Sequence, residues 1–536
     1  MTLLKRLLVA ALALISLAPP AWAEICLESK STGGRVTGEL IRFTGQRWDL
    51  STALGRQSFY IDDFFPCAAA GEVRIAAPEP VPDAPTTEPE VASPPTAPIG
   101  SEAAPVRTLR IAGSNTVGAR LMPRLAEAFL ARAQGPAPRA APTADGRLDI
   151  TGAGARIEIS RRGTSTGFEA LARGRAAIAM ASRPIRPREE AALATLGHRG
   201  LRGPEREHVL ALDGIVAIVS DTVGLERLTV DQLAAIFSGR LADWSDLGLP
   251  GGAIRVYARD AQSGTFDSLV SLLLGGDADR LAPGARRFES NRGLAEAVAA
   301  DPRAIGAVAA GALADVRGVR PLALAGPCGI VQRPDLFSIK TEDYALARRV
   351  FLYTLRAERT GLLGDLVDFA LSDQAQELIG ATGFVSSRIE TLGGPVDRAV
   401  RPAGSERGAA ADRMAAELAT LVADATRVSV TFRFATGSAV LDNKALQDGP
   451  AVARWLNQVA PDAEVLLLGF ADARGPFATN QGLSQRRAEQ ARALLAANGV
   501  APSRMRPLGF SELMPVFCND TPQGQAKNRR VELWIR

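Results

Sequence analysis

The chain has 536 residues, too many for one hydrophobic core, and its 46% hydrophobic content is that of ordinary globular protein. A net charge of +4, with no basic stripe interleaved with aromatics, argues against a nucleic-acid partner. Two histidines, His198 and His208, give little basis for a metal centre or for imidazole catalysis, so several domains without metal or cofactor are expected.

Residues 1–23 read as a secretory leader. Lys5 and Arg6 precede the apolar run 7–17, and Ala21-Trp22-Ala23 offers a small-x-small cleavage site. The run is too short to span a membrane comfortably, and no later segment is a better candidate. A bacterial lipoprotein needs cysteine directly after the cut. Cys26 stands three positions beyond it, so lipidation is not expected and the product is an exported protein.

The segment 24–75 has the pattern of a small β module, with strand-like runs at 36–43, 46–50 and 57–61 between glycine-bearing turns. Its core is thin, which is where a disulfide helps most, and Cys26 and Cys67 bracket it; these two are expected to pair. Residues 76–106 are rich in Pro, Glu, Ala and Thr and form a linker. At about 3.1 Å per residue in extended form it would reach on the order of 90 Å.

From 107 to 392 strands and helices alternate, as in an α/β fold. The strands are 109–112, 177–180 and 214–219, and the apolar spacing of Leu121, Leu125 and Phe129 marks a helix. Three helix starts share one composition: Gly113-Ser-Asn-Thr116, Gly163-Thr-Ser-Thr-Gly167 and Ser263-Gly-Thr265. A helix start presents unpaired N–H groups and partial positive charge, hydroxyls add donors, and glycine lets an anion approach the backbone. Arg259 adds a full charge. Plain N-capping explains any one of these starts; three with an arginine favour a shared anion pocket.

The same residues carry a resemblance. Ala112-Gly-Ser-Asn-Thr116, Met180-Ala-Ser-Arg-Pro-Ile185, Leu212-Asp-Gly-Ile-Val216, the stretch 228–239 with Trp244, and Arg259-Asp-Ala-Gln-Ser-Gly-Thr265 are similar to the phosphate-binding proteins of bacterial phosphate ABC transporters. That resemblance implies a two-lobed periplasmic-binding-protein fold with phosphate, or a related oxyanion, held between the lobes. By position the ligands would be Thr116, Thr164, Ser165, Ser182, Arg259, Ser263, Gly264 and Thr265, with Asp213-Gly214 near the crossover between lobes. An ABC permease is the partner it would imply. Many members place an aspartate after the strand matched by 178–181 to accept the proton of hydrogen phosphate; Ser182-Arg183 stands there instead, which leaves the choice between phosphate and sulfate open.

Residues 393–425 form a loose stretch and an alanine-rich amphipathic helix. In 426–536, strands at 428–434, 465–468 and 531–535 and helices at 446–459 and 483–497 predict a small α/β sandwich with a mixed sheet. Fifteen residues separate Asp472, at a strand end, from Arg487, expected one turn into a helix capped near Ser484. Such a pair suits a ligand carrying both ammonium and carboxylate. With Asn528-Arg-Arg-Val-Glu-Leu533, this block resembles the OmpA-like peptidoglycan-binding domain. The resemblance gives Asp472 the ammonium of diaminopimelate and Arg487 its carboxylate, with Asn480 shaping the loop and Arg529 in support. Cys328 and Cys518 fall in different domains; two buried free thiols are the favoured reading, and an interdomain bridge the other.

The whole reads as an α/β multidomain protein exported to the periplasm. It would bind phosphate and be tethered to the cell wall or outer membrane through peptidoglycan, with no catalysis. The rivals are a wall-associated structural or sensory protein with another ligand, and a phosphate-ester hydrolase using Ser263 or Thr265, for which no activating base accompanies the hydroxyls.

Overall fold

A computed structural model describes the backbone at 24–29, 35–43, 47–52, 55–60 and 64–66. It also describes the chain from 106 to 536 except 134–135, 262, 356–359, 393–407 and 435–436. The leader, the linker up to 105 and Cys67 lie outside the described residues, and so does the expected Cys26–Cys67 pair. The chain divides into two compact units, Met1–Ile99 and Gly100–Arg536.

In the first unit the three expected strands are present as Arg35–Phe43, Arg47–Thr52 and Gly55–Tyr60. Glu24–Ser29 and Phe64–Pro66 extend them to a five-stranded antiparallel sheet.

The second unit is built on an eleven-stranded sheet that runs through two lobes. In lobe 1, Arg107–Gly113 lies parallel to Ala155–Arg161 and to Ile178–Ala181. In lobe 2, Arg255–Arg259 lies parallel to Ala304–Ala309 and to Arg286–Phe288. Glu207–Ser220 joins them. Its first half pairs antiparallel with Ala347–Thr354, from Glu207↔Tyr353 to Gly214↔Ala347, and its second half with Ala304–Ala309. Every residue of this crossover strand after Glu207 is buried, which fits its near-continuous apolar sequence.

Each lobe has its own core. Leu210 and Ala211 of the crossover strand pack with Ile111, Leu125, Ile157 and Phe369 in lobe 1. Leu212 and Ile215 to Val219 pack with Phe237, Trp244, Leu269 and Leu294 in lobe 2. The passage between lobes therefore falls at Ala211–Leu212, where Leu212 also bridges to Val385.

The C-terminal part has a mixed sheet in the order Thr426–Arg433, Arg530–Ile535, Val465–Phe470, Met505–Gly509. Strict alternation sorts its faces. Val465 and Leu467 point to the helices Asn443–Gln458 and Phe477–Ala497, whereas Leu466, Leu468 and Phe470 point to Leu418 and Leu421 of Ala409–Ala423. The alanine-rich helix expected ahead of this domain thus covers one face of its sheet. Burying each such leucine contributes roughly 2 kcal/mol.

Two expectations need correction. The helix expected from 483 begins at Phe477, directly after Pro476, so Ser484 is no cap. It is fully buried two turns in, where its Oγ accepts from Ser511 N at 3.0 Å. Proline fixes an extended entry that no later residue was needed to supply. Secondly, Cys328 and Cys518 are not free thiols: they are bonded to each other across 190 residues. The lobe 2 loop that carries Cys328 and the loop that carries Cys518 meet where Gln332 Nε2 donates to Val516 O at 3.2 Å.

Candidate functional site

The strand ends of both lobes meet at a cleft of about 700 Å³ lined by Thr116, Asp213, Arg259, Ser263, Gly264 and Thr265 among others. The lobes touch closely here. A Cβ on Gly264 would lie 2.7 Å from Thr116 Cα, so only glycine lets this helix start approach the other lobe. Ser263 caps its helix, accepting from Phe266 N at 3.1 Å, and Thr265 Oγ1 reaches Asn291 Oδ1 at 3.4 Å.

Arg259 is held by backbone carbonyls: Nε donates to Phe288 O at 3.1 Å and Nη2 to Glu289 O at 2.6 Å. Among the described residues its one carboxylate partner is Asp260 at 3.9 Å, too far for a tight ion pair. Burial lowers its pKa, Asp260 opposes this, and Arg120 lowers it further.

Behind the cleft lies a buried polar knot that the sequence reading missed. Arg348 Nε donates to Asp213 Oδ2 at 3.1 Å, Nη2 donates to Thr116 Oγ1 at 3.1 Å, and Nη2 also donates to Ser268 Oγ. Ser268 Oγ in turn donates to Asp213 Oδ2 at 2.6 Å. Asp267 adjoins it through Thr116 Oγ1 at 3.4 Å; burial raises its pKa against the pull of Arg348 and Thr116. The signal was present as charge inside two apolar strands, one aspartate in Leu-Asp-Gly-Ile-Val and two arginines in Ala-Arg-Arg-Val-Phe, and the register sets Asp213 opposite Arg348.

Thr164, Ser165 and Ser182 do not line this cleft. Thr164 Oγ1 and Ser182 Oγ bond each other at 3.2 Å, and Ser165 Oγ lies between Glu189 and Arg183 at 3.0 Å from each. Arg183 grips Glu189 with both terminal nitrogens, at 2.9 and 2.7 Å. Burial alone would raise the Glu189 carboxyl, but Arg183 and the Arg186 N–H outweigh it and hold it low. Ser182 and Arg183 face a separate hollow of about 220 Å³ shared with Arg348, Arg349 and Lys527.

In the C-terminal part, Asp472 pairs with Arg529 rather than with Arg487: Arg529 Nη1 donates to Asp472 Oδ2 at 2.8 Å. Arg487 is fully buried, donating from Nε to Ser438 O at 3.0 Å and from Nη1 to Phe470 O at 3.1 Å, beneath the Phe434 ring. Burial brings its pKa down to about 10, although Asp472 pulls the other way. Among the described residues, Arg487 Nη2 and Arg529 Nε are buried donors with no acceptor. Two such donors beside a carboxylate fit a ligand that brings its own carboxylate and ammonium. Asn480 Nδ2 donates to Glu512 Oε2 at 2.7 Å, within the first turn of the helix after Pro476.

Two family models match. The PBP superfamily domain covers residues 101–374, and the OmpA family covers 433–529. The phosphate-binding protein PstS of Bacillus subtilis is 29% identical over 173 residues, 32% of this chain and 54% of that one. The peptidoglycan-binding protein ArfA of Mycobacterium bovis is 40% identical over 92 residues, 16% of this chain and 28% of that one. The chain thus spans about half of one relative and under a third of the other. Among solved structures, a phosphate transport receptor from Vibrio cholerae is 23% identical, with a TM-score of 0.41, covering 52% of this chain and 99% of that one. With a match across half its length, the chain belongs to the PBP superfamily and carries an OmpA-family domain at its C-terminal end.

Proposed function

We propose that this is an exported oxyanion-binding protein that holds inorganic phosphate in the cleft between its lobes and is tethered to peptidoglycan by its C-terminal domain. The observation that carries the reading is Arg259. It is a nearly buried cation without a tight carboxylate partner, facing a cleft with the helix start at Ser263–Thr265. Such a place favours a small oxyanion, because guanidinium, hydroxyl and backbone N–H donors converge on it. Thr116, Ser263, Gly264 and Thr265 join Arg259 there, while Thr164, Ser165 and Ser182 stand away from the cleft, bonded to one another or to Glu189 and Arg183.

Selection of phosphate over sulfate rests on an acceptor for the phosphate proton, and Asp213 is the carboxylate in the cleft wall. At the other end, diaminopimelate of the wall peptide would place its ammonium on Asp472 and its carboxylate on Arg487 Nη2 and Arg529 Nε. The names of the PstS and ArfA relatives support both halves. On this reading residues 1–23 are a leader that sends the protein to the periplasm, and wall tethering would favour local storage, sensing or handover of phosphate over free diffusion to an ABC permease. The test is titration of the full chain with phosphate and with sulfate, beside co-sedimentation with purified sacculi. Heat from neither anion sinks the first half of the reading, and protein left in the supernatant sinks the second.

A further inference from the structure

The C-terminal domain touches both lobes and the strand that joins them. On lobe 1, the Gln447 amide completes the pairing of the crossover strand. Its Oε1 accepts from Val209 N at 3.0 Å and its Nε2 donates to Val209 O at 2.7 Å, beside the bulge between Val209 and Ala211. Asn443 Nδ2 donates to Arg202 O at 2.7 Å and to Glu207 Oε1 at 2.9 Å.

On lobe 2, the hold is covalent at Cys328–Cys518. It is reinforced by Arg433 Nη2 donating to Thr341 O at 2.7 Å and by Arg427 paired with Asp343 at 2.7 Å. Between the two lies Arg349, opposite Leu212 in the sheet. It binds Glu342 of lobe 2 at 2.7 Å and Asp442 of the C-terminal domain at 2.8 Å.

The cleft takes Thr116 from lobe 1 and Arg259 with Ser263–Thr265 from lobe 2. A ligand gripped by both lobes favours one angle between them. A rigid body fixed to both cannot follow both through a rotation; either it moves or its contacts with one lobe break.

The loop bolted to lobe 2 also supports the wall site. Asn519, next to Cys518, accepts from Ala473 N at 3.1 Å, directly after Asp472. Asn528, next to Arg529, accepts from Val516 N and Phe517 N at 3.0 and 3.1 Å.

We propose that the C-terminal domain braces the two lobes across their shared strand, so that an anion in the cleft and a wall peptide at Asp472, Arg487 and Arg529 alter each other's affinity. This rests on the function proposed above and adds to it a wall anchor that reports anion occupancy. Linkage requires the effect to be equal in both directions.

The experiment titrates the full oxidised chain with inorganic phosphate, with and without saturating diaminopimelate-containing muropeptide, and then with the two ligands exchanged. Each ligand is expected to shift the Kd of the other by the same factor, about fivefold or more. That factor should fall toward one in Gln447→Ala and in the Cys328→Ser/Cys518→Ser double variant, while each ligand alone still binds. Dithiothreitol treatment of the unaltered chain, with circular dichroism as a check on folding, gives the same comparison without substitution. Kd values independent of the other ligand overturn the brace and leave the proposed function standing. Failure of phosphate or muropeptide to bind on its own overturns that function and the brace with it.

Discussion

At Arg259 a guanidinium held by two carbonyls keeps its charge for the cleft. Arg259→Ala should weaken phosphate binding by roughly 2–5 kcal/mol, thirtyfold or more, with little change in melting temperature. Unchanged affinity by calorimetry would remove it from the site. Arg348 is a different case, because its partner Asp213 is buried with it. Arg348→Ala strands a carboxylate and should cost about 3–5 kcal/mol of stability, read as a fall in the urea midpoint. Adding Asp213→Asn should recover part of that loss; strictly additive losses would show that the two do not act as a pair. Thr116, Ser263 and Thr265 stood out in the sequence by their place at helix starts and Arg259 by standing four residues before one, and all four line the cleft; Thr164 and Ser165, chosen by the same rule, do not. Arg348 did not stand out, because its meaning depends on strands 135 residues apart in sequence.

The strand at 465–468 was read nearly to its bounds, whereas the crossover strand, expected over 214–219, runs from Glu207 to Ser220, because Asp213 and His208 interrupt its apolar run. The helix Phe477–Ala497 was read short, since Thr479, Asn480, Gln481 and Gly482 hide its first two turns behind polar residues. The longer helix sets Asn480 near its start and buries Arg487 in its middle. Asp472→Ala and Arg487→Ala should each abolish co-sedimentation of the full chain with sacculi, and Arg529→Ala should too, because it anchors Asp472. Folded variants that still sediment would place the wall contact elsewhere.

Charge also decides how the elements dock. Burial brings Lys527 down to about 8, even with Glu342 at 3.4 Å, and Arg433 and Arg349 add to the fall. Its unfolded value is 10.5, so between about pH 8 and 10.5 the undocked chain binds more protons, and docking gains stability as pH rises. Below about 8 the full penalty applies, on the order of 3 kcal/mol. Lys527→Met should therefore raise the melting temperature at pH 7 and lessen its increase between pH 8 and 10. An identical pH profile in the variant would show that Lys527 does not titrate there.

Across the molecule, the binding part and the C-terminal part share buried ion pairs and one disulfide, and this was the feature least visible beforehand. Arg427 and Arg433, to which the sequence analysis gave no role, face Glu342 and Asp343 of the lobe. A cross-link closing 190 residues contributes up to roughly 5 kcal/mol in the chain-entropy limit. Reduction should accordingly lower the first thermal transition by several degrees; a scan that does not change would mean that the docking stands without the bond. What the lobes and the anchor do together depends first on whether the cleft takes an anion. Calorimetric titration of the full chain with phosphate and sulfate tests that most directly. Saturable heat for one phosphate per chain, lost in Arg259→Ala, is the predicted result. A flat titration with both anions from a folded protein would contradict it.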